Sequence, residues 1–322
     1  MDRAALLASR REQRAFLSEM LPEDVLRLDA MFETWAANGQ LEPGHAGWRT
    51  WLMMAGRGFG KTRAGAEWIH GVAMSGRRRI ALVAATIDEA RAIMVEGKSG
   101  LLSVARRRGV KLRWEPSLNR LKWPSGAVAT LYSGDNSDGL RGPEHDFAWC
   151  DELAKWREAE AAWDNLQLGL RLGVRPRVLV TTTPRPMPLL DRIRAQRWTV
   201  ESGGRTGDNL SLPKQFVEVM METYGGSRIG RQELDGELLS EAEGSLFPRA
   251  LLERARVCPS TAFGGPPPRG KLGEDLFDRV VVGVDPCVSG DGDSCGIVVA
   301  GRRSGKLFVL ADRSVPASAP ER

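Results

Sequence analysis

The segment Gly56–Thr62 carries the residue types that can hold a phosphate group. It reads Gly-Arg-Gly-Phe-Gly-Lys-Thr and connects an apolar run at 51–55 with an amphipathic stretch at 62–75. The apolar run predicts a buried strand, and the amphipathic stretch predicts a helix. A glycine-rich turn between such a strand and such a helix presents backbone N–H groups to phosphate oxygens. The sequence therefore predicts a nucleotide-binding loop here.

The end of this loop supplies the charged and hydroxyl groups of the predicted site. The ammonium group of Lys61 would reach the terminal phosphates, and the hydroxyl of Thr62 would hold Mg²⁺. The strict form of the motif has glycine where this chain has Ala55. We still prefer the functional interpretation, because Gly-Lys-Thr at a strand-to-helix turn has little structural use otherwise. The glycines expected to turn the backbone around the phosphates are Gly56, Gly58 and Gly60.

Two adjacent carboxylates follow another apolar run and complete this site. The run Phe147–Cys150 predicts a buried strand, and Asp151 and Glu152 come directly after it. Asp151 is expected to bind Mg²⁺, directly or through water, and Glu152 is expected to orient and deprotonate an attacking water. Taken alone, the pair could equally be a solvated acidic turn. Together with the loop, it predicts ATP hydrolysis.

A run of hydroxyl side chains ends the next predicted strand. The chain reads Thr181-Thr182-Thr183-Pro184 at that point. Hydroxyls at the carboxyl end of a strand beside a nucleotide could sense the terminal phosphate and pass its loss to moving parts. We expect Thr182 to contact the nucleotide. Threonine is also a common strand residue, so a purely structural role is the alternative.

Short apolar runs alternate with amphipathic stretches, and this alternation indicates the elements that position these groups. Strands are predicted at 51–55, 79–84, 147–150 and 177–182, and helices at 62–75, 87–107, 156–172 and from 188 onward. Three short alternating pieces between 111 and 132 look like an antiparallel addition, and helical material continues from 213 to about 241. The predicted fold class is α/β, a P-loop NTPase with a mostly parallel central sheet flanked by helices.

Turn-forming residues divide the chain into four predicted segments. Residues 1–47 look like a helical lid or docking segment, and 48–262 form the ATPase domain with a helical subdomain at its end. Residues 263–279 are a proline- and glycine-rich linker, and 280–322 begin a second domain.

Composition and charge indicate a soluble protein with an acidic partner. The chain carries 46 Lys and Arg against 41 Asp and Glu, a net charge of +5. Basic clusters such as Arg77–Arg79 and Arg106–Arg108 favour a phosphate-rich partner, although each could equally be a solvated helix face. The longest apolar runs are only strand-length, and no secretory signal is evident, so we expect a cytoplasmic protein without membrane contact. Four cysteines without a paired spacing fit neither a disulfide scaffold nor a zinc site.

Five segments carry a resemblance to a known family: 48–51, 56–68, 139–143, 151–152 and 231–237. In their residues and in their order along the chain, they resemble segments of the large terminase subunits of tailed phages and of related gene transfer agents. The resemblance implies an ATP-driven motor that moves double-stranded DNA into a viral-type capsid. It also implies three partners, namely the capsid portal protein, a small terminase subunit and further copies of this chain in a ring on the portal.

The same resemblance implies roles for three more residues. Gln40 resembles the glutamine that reads the adenine edge, although residues 37–39 read Ala-Asn-Gly where the family usually has Arg-Pro. Arg57 is similar to the arginine that family members keep beside the phosphates. Arg141 resembles the arginine finger that reaches the ATP of a neighbouring subunit. In this chain alone, either arginine could equally be a surface cation.

The last predicted segment resembles the first hairpin of the terminase nuclease, which has an RNase H-like fold. Strands are predicted at 280–285, 295–301 and 306–311. The resemblance implies that Asp285 is a ligand of a divalent metal, with Asp293 nearby. Two-metal cleavage needs further carboxylates from later strands, so we expect an incomplete domain without nuclease activity by itself. Either the sequence is a fragment, or another polypeptide completes the domain.

Two other functions share parts of this pattern. A helicase or strand-remodelling ATPase would use the same loop and acidic pair, but 151–154 lacks the longer acidic signature of many helicases and a second motor domain is not evident. An inactive prophage remnant would fit the short second domain, but not the intact ATPase motifs. A DNA-packaging motor is therefore the leading hypothesis.

Overall fold

The structure is a computed structural model, and it describes residues 20–209, 211–239, 277–285 and 295–315. The chain divides into two compact units, Met1–Ser245 and Leu246–Arg322.

An eight-stranded sheet forms the centre of the first unit. Its strands are β1 (Thr50–Met54), β2 (Arg79–Ala84), β3 (Arg113–Glu115), β4 (Arg120–Lys122), β5 (Val128–Ser133), β6 (Phe147–Asp151), β7 (Arg177–Thr182) and β8 (Thr199–Ser202). They lie in the order β3-β4-β5-β2-β6-β7-β1-β8. The six strands from β5 to β8 in this order are parallel, and β3 and β4 add to β5 in antiparallel orientation. The predicted fold class is confirmed for this unit.

Helices cover both faces of this sheet, which explains why its central strands are apolar without a break. The α-helices among the described residues of the first unit are α1 (Pro22–Ala30), α2 (Phe32–Trp35), α3 (Lys61–Met74), α4 (Ile87–Glu89), α5 (Leu101–Arg107), α6 (Ala159–Gly169), α7 (Pro188–Arg194), α8 (Lys214–Tyr224) and α9 (Arg228–Glu233). In β1, Trp51 and Met53 belong to the core beneath α3 and α5, while Leu52 belongs to the core beneath α6 and α7. This alternation follows from the two-residue period of a strand.

The single helix predicted at 87–107 is wrong. The structure has α4, a π-helical segment Ala90–Val95, a turn and then α5. The turn brings Gly97 and Gly100 so close to the preceding segment that a Cβ would lie 2.6 Å from the Ile93 oxygen and 2.8 Å from the Met94 oxygen, respectively. Two glycines within four residues therefore end one helix and start another.

Sequence reasoning also missed the edge strand β8, which pairs with β1. The helical stretch predicted at 213–241 is two helices, α8 and α9, separated at Gly225 and Gly226. Gly226 has φ +74, the left-handed region in which glycine ends helices readily.

The N-terminal helices dock on α3 and α5 through charged side chains. The Arg63 guanidinium lies 5.6 Å from the Phe32 ring centre and 5.3 Å from that of Trp35. Asp29 forms an ion pair of 2.8 Å with Arg107. Within α3, Arg63 and Glu67 form a buried pair at 2.7 Å. These contacts attach the N-terminal segment to the helix that follows the nucleotide-binding loop.

The second unit contains an antiparallel sheet of three described strands in the order β11-β10-β9. They are β9 (Arg279–Asp285), β10 (Gly296–Arg303) and β11 (Lys306–Asp312), close to the three predicted strands. Asp285 ends β9 and pairs with Gly296, whereas Asp293 lies outside the described residues. Across both units, no described helix combines the length and apolar character needed to cross a bilayer.

Candidate active site

The nucleotide-binding loop lies between β1 and α3, at the carboxyl edge of the parallel strands. Gly58 and Gly60 have φ angles of +75 and +104, a region that other residues adopt only with strain. At Gly56, an added Cβ would lie 2.4 Å from the Leu234 oxygen. All three glycines are therefore required, two by their backbone conformation and one by close packing.

Lys61 lies where the loop meets the acidic pair. Its side chain is buried, and Nζ donates hydrogen bonds to the Ala55 oxygen at 2.9 Å and to Thr183 Oγ1 at 3.2 Å. The same nitrogen lies 3.5 Å from Glu152 Oε1. The predicted phosphate ligand and the predicted base are thus brought together.

Asp151 is the last residue of β6, and its carboxyl group is buried. Thr181 Oγ1 donates a hydrogen bond of 2.7 Å to its Oδ1. Burial raises the pKa of Asp151 to about 6, an effect that the charge of Glu152 reinforces and the Thr181 hydrogen bond and the charge of Lys61 oppose. A cation bound beside this group would favour its ionised form.

Glu152 is held in an unusual backbone conformation. Its φ and ψ are both 48, in the left-handed region that non-glycine residues seldom adopt. The Thr183 backbone N–H donates a hydrogen bond of 3.2 Å to Glu152 Oε2. The strained turn and this hydrogen bond direct the carboxylate towards Lys61.

The three threonines at the end of β7 have different partners. Thr181 bonds Asp151, and Thr183 bonds Lys61 and Glu152. The hydroxyl of Thr182 instead accepts from the Ala154 N–H at 3.2 Å and donates to the Thr183 oxygen. Within the predicted hydroxyl run, Thr183 therefore lines the cavity in place of Thr182, which was expected to contact the nucleotide. Strand alternation could have found it, because residues 181 and 183 share one side of the chain.

Lys61, Glu152 and Thr183 line an open cavity of about 550 Å³, a volume in the range of small-molecule sites. Asp151 is not among the described residues of its wall. Thr62 lies in its wall, as the sequence predicts. Cations outnumber carboxylates in this wall: Arg57, Lys61, Arg63, Lys98, Lys155 and Arg185 against Glu152 and Glu233. The cavity therefore favours a polyanion such as a polyphosphate.

Arg57 lies at the rim of this cavity and is tied to α9. Its Nε donates to Glu233 Oε2 at 2.7 Å, and its backbone N–H donates to the Glu233 oxygen at 2.6 Å. The hydrogen bond and the charge of Glu233 raise the pKa of Arg57, so this guanidinium stays charged. No local pattern in the sequence identifies Glu233 as its partner, because the two residues are far apart in the chain.

Gln40 and Arg141 are not among the described residues that line this cavity. Gln40 is buried, with its Oε1 accepting from the Ala37 N–H and its Nε2 donating to the Phe59 oxygen. Its adenine-reading role stays a prediction that these contacts do not support. Arg141 is exposed in the loop between β5 and β6 and stays a candidate for contact with another subunit.

The sheet, the loop and the acidic pair define a P-loop NTPase fold. The chain matches the family model described as "Terminase large subunit, T4likevirus-type, N-terminal" over residues 52–254. The chain therefore belongs to the terminase large subunit family.

Two solved structures of one phage protein share this fold. The large terminase of a thermophilic bacteriophage is similar with a TM-score of 0.53 and 15% identity, covering 90% of this chain and 68% of the phage protein. The complex of the same phage protein with ADP gives the same values. The HK97 bacteriophage large terminase has a TM-score of 0.49 and 13% identity, covering 82% of this chain and 58% of its own. The comparison with curated proteins gave no match.

Proposed function

We propose that this chain hydrolyses ATP to drive double-stranded DNA into a viral-type capsid. The proposal rests mainly on one observation. In a cationic cavity beside a glycine loop that connects a strand to a helix lie Lys61, Glu152 and Thr183. Such a set fits phosphoryl transfer, in which the protein mainly positions groups and stabilises charge. That a similar terminase was solved with ADP supports a nucleotide as the ligand.

Each residue of the set has a task in this reaction. Lys61 exchanges its bonds to loop carbonyls for bonds to the terminal phosphates. Glu152, aimed by its strained turn, accepts a proton from the attacking water. Thr183 contacts both side chains, so it is placed to respond when the terminal phosphate leaves.

The residues beside the loop also fit Mg²⁺. Thr62 and Asp151 offer a hydroxyl and a carboxylate, and oxygen is the ligand atom that Mg²⁺ prefers. When bound with the nucleotide, the ion would neutralise phosphate charge. The hydrogen bond from Thr181 fixes the orientation of the Asp151 carboxylate in advance.

Work on DNA requires more than one active site. We propose that Arg141 completes the site of a neighbouring copy in a ring on the capsid portal, with a small terminase subunit delivering the DNA. The exposure of Arg141, outside the cavity wall of its own chain, supports this role. Metal binding by Asp285 and Asp293 in the second unit remains part of the proposal.

A nuclease-protection assay tests this function. Purified chain, small subunit, empty portal-bearing capsids, linear double-stranded DNA and ATP are combined, and the DNA that resists added nuclease is measured. The proposal predicts protected DNA with the wild-type chain and none with Lys61→Ala. Strand separation without protection would instead indicate a helicase.

A further inference from the structure

Three consecutive carbonyl groups of the nucleotide-binding loop each accept a hydrogen bond from a side chain. The Arg57 oxygen accepts from Thr206 Oγ1 at 2.6 Å, and the Gly58 oxygen accepts from Asn209 Nδ2 at 2.6 Å. The Phe59 oxygen accepts from Gln40 Nε2 at 2.5 Å. The donors come from two separate parts of the chain, before β1 and after β8.

These bonds matter because of how such a loop binds phosphate. Its N–H groups must converge on one point, so its carbonyl groups point outward. An unpaired carbonyl would be free to rotate the peptide unit, and each of the three peptide units here has a glycine on one side, the residue that restricts the backbone least. Side-chain donors on the outside therefore fix the orientation of the Gly58 and Gly60 N–H groups before any ligand arrives. The N–H of the middle peptide unit, on Phe59, donates to the Gly56 oxygen at 3.3 Å.

The donors are themselves fixed. The Thr206 N–H donates to the Leu234 oxygen at 2.7 Å, and the residue is buried. Asn209 Oδ1 accepts from the Ser211 N–H at 3.0 Å, which turns the amide nitrogen towards Gly58. Gln40 Oε1 accepts from the Ala37 N–H at 2.9 Å, which turns its nitrogen towards Phe59. In both amides the oxygen has a protein partner, so the nitrogen faces the loop.

We propose that Thr206, Asn209 and Gln40 are positioning residues that hold the loop in its phosphate-binding form. We call them the carbonyl clamp. The proposal rests on the proposed nucleotide site and adds that the clamp serves the phosphate chain of the ligand, whatever its base. Gln40 then contributes to affinity for the polyphosphate and does not select adenine.

The test compares three ligands that share a phosphate chain and differ in the base. Binding of ATP, GTP and inorganic tripolyphosphate is measured by titration calorimetry at fixed Mg²⁺ concentration, for the wild-type chain and for Thr206→Val and Gln40→Leu. Loss of one clamp bond lowers the fraction of chains with a competent loop, and apparent affinity falls by that fraction. We expect each variant to bind all three ligands more weakly by one common factor, up to about tenfold.

Two further variants separate positioning from general damage. Thr206→Ser keeps the donor hydroxyl and is expected to bind like the wild type. Ser211→Ala removes a hydroxyl from the same segment, at an exposed position whose clamp contact uses only its backbone N–H. It is also expected to bind like the wild type. At saturating ATP, kcat of Thr206→Val should stay near the wild-type value while KM rises.

The results that would contradict the clamp differ from those that would contradict the nucleotide site. Unchanged binding in Thr206→Val, or weakened binding in Thr206→Ser equal to that in Thr206→Val, would overturn the clamp. A Gln40→Leu chain that loses ATP affinity but keeps tripolyphosphate affinity would show that Gln40 reads the base. A wild-type chain that binds none of the three ligands would overturn the nucleotide site, and the clamp with it.

Discussion

At the scale of single residues, the site depends on which hydroxyl faces the cavity. Thr183 bonds both Lys61 and Glu152, whereas the neighbouring Thr182 bonds the backbone at Ala154 and at Thr183 itself. Two adjacent residues of one type therefore have separable functions. Substitution of each threonine in turn therefore gives a matched pair of variants that tests this difference.

Thr183→Val should lower kcat for ATP hydrolysis roughly tenfold to a hundredfold, because Lys61 and Glu152 lose the hydroxyl that orients them. Thr182→Val should leave kcat almost unchanged and cost about 1 kcal/mol of stability, the typical value for one hydrogen bond. Steady-state kinetics and urea unfolding of both variants provide the measurement. Equal losses of kcat in the two variants would contradict the assignment.

The sequence was sufficient to place the residues that belong to a local motif. Lys61, Asp151 and Glu152 lie where their spacing from strands predicts, and Thr62 lines the cavity. Asn209 and Glu233 were missed, and Thr183 was not distinguished from its two neighbours, because their contacts depend on side-chain direction or on distant segments. Gln40 is the opposite case. Its resemblance implies a contact with adenine, whereas in the structure both ends of its amide are hydrogen-bonded to the protein.

At the scale of elements, α3 carries a buried histidine that joins it to the segment after β4. Trp123 Nε1 donates a hydrogen bond of 3.2 Å to His70 Nδ1. Burial lowers the pKa of His70 to about 4, and the nearby Arg108 charge acts in the same direction. The neutral form is thus the folded form, and it serves as a hydrogen-bond acceptor.

Acidification should therefore remove the stability that neutral His70 contributes to the first unit. The folded pKa of His70 is lower than the unfolded value of 6.5, so the unfolded chain binds more protons between these two values. Stability from this group is fully present above the unfolded pKa and is lost as pH falls towards the folded pKa. By pH 5 the loss is up to about 2 kcal/mol, measured by urea unfolding at pH 7 and pH 5.

His70→Gln provides the control for this effect. The glutamine oxygen can accept from Trp123, and the amide does not titrate. We expect the variant to show a smaller loss of stability between the two pH values, with the remainder coming from other groups such as His145, whose pKa burial also lowers to about 4. The same loss in variant and wild type would exclude His70 as the cause.

Long, apolar or strongly amphipathic elements were the ones that sequence predicted well. β2 and β7 have the predicted bounds, because buried parallel strands form continuous apolar runs. The edge strand β8 was missed, since it is short and only partly buried. The helix predicted at 87–107 failed at Gly97 and Gly100, whose effect depends on close packing that periodicity does not report.

At the scale of the whole molecule, Arg141 is exposed and lies outside the cavity wall of its own chain. A complete site would then need two copies. The family could be identified from the sequence, because the loop motif and the later segments occur in a fixed order. Assembly could not be derived, because a single chain does not show which copy an exposed arginine contacts.

Complementation between two defective copies tests this shared site. Lys61→Ala and Arg141→Ala chains should each hydrolyse ATP slowly on portal-bearing capsids with DNA. A mixture should be faster than either, because the Lys61→Ala copy supplies an intact Arg141 to a neighbour with an intact loop. Activity should peak at equal amounts. If mixing restores no activity while Arg141→Ala alone is impaired, Arg141 acts within its own chain.

All of these proposals depend on ATP hydrolysis in the cavity around Lys61 and Glu152. The decisive measurement is steady-state hydrolysis by the purified chain, with linear DNA and empty capsids, for the wild type and for Glu152→Gln. We expect this variant to bind ATP as tightly as the wild type and to hydrolyse it at least about a hundredfold more slowly. Turnover by Glu152→Gln at the wild-type rate, or a folded wild-type chain without turnover under any of these conditions, would contradict it.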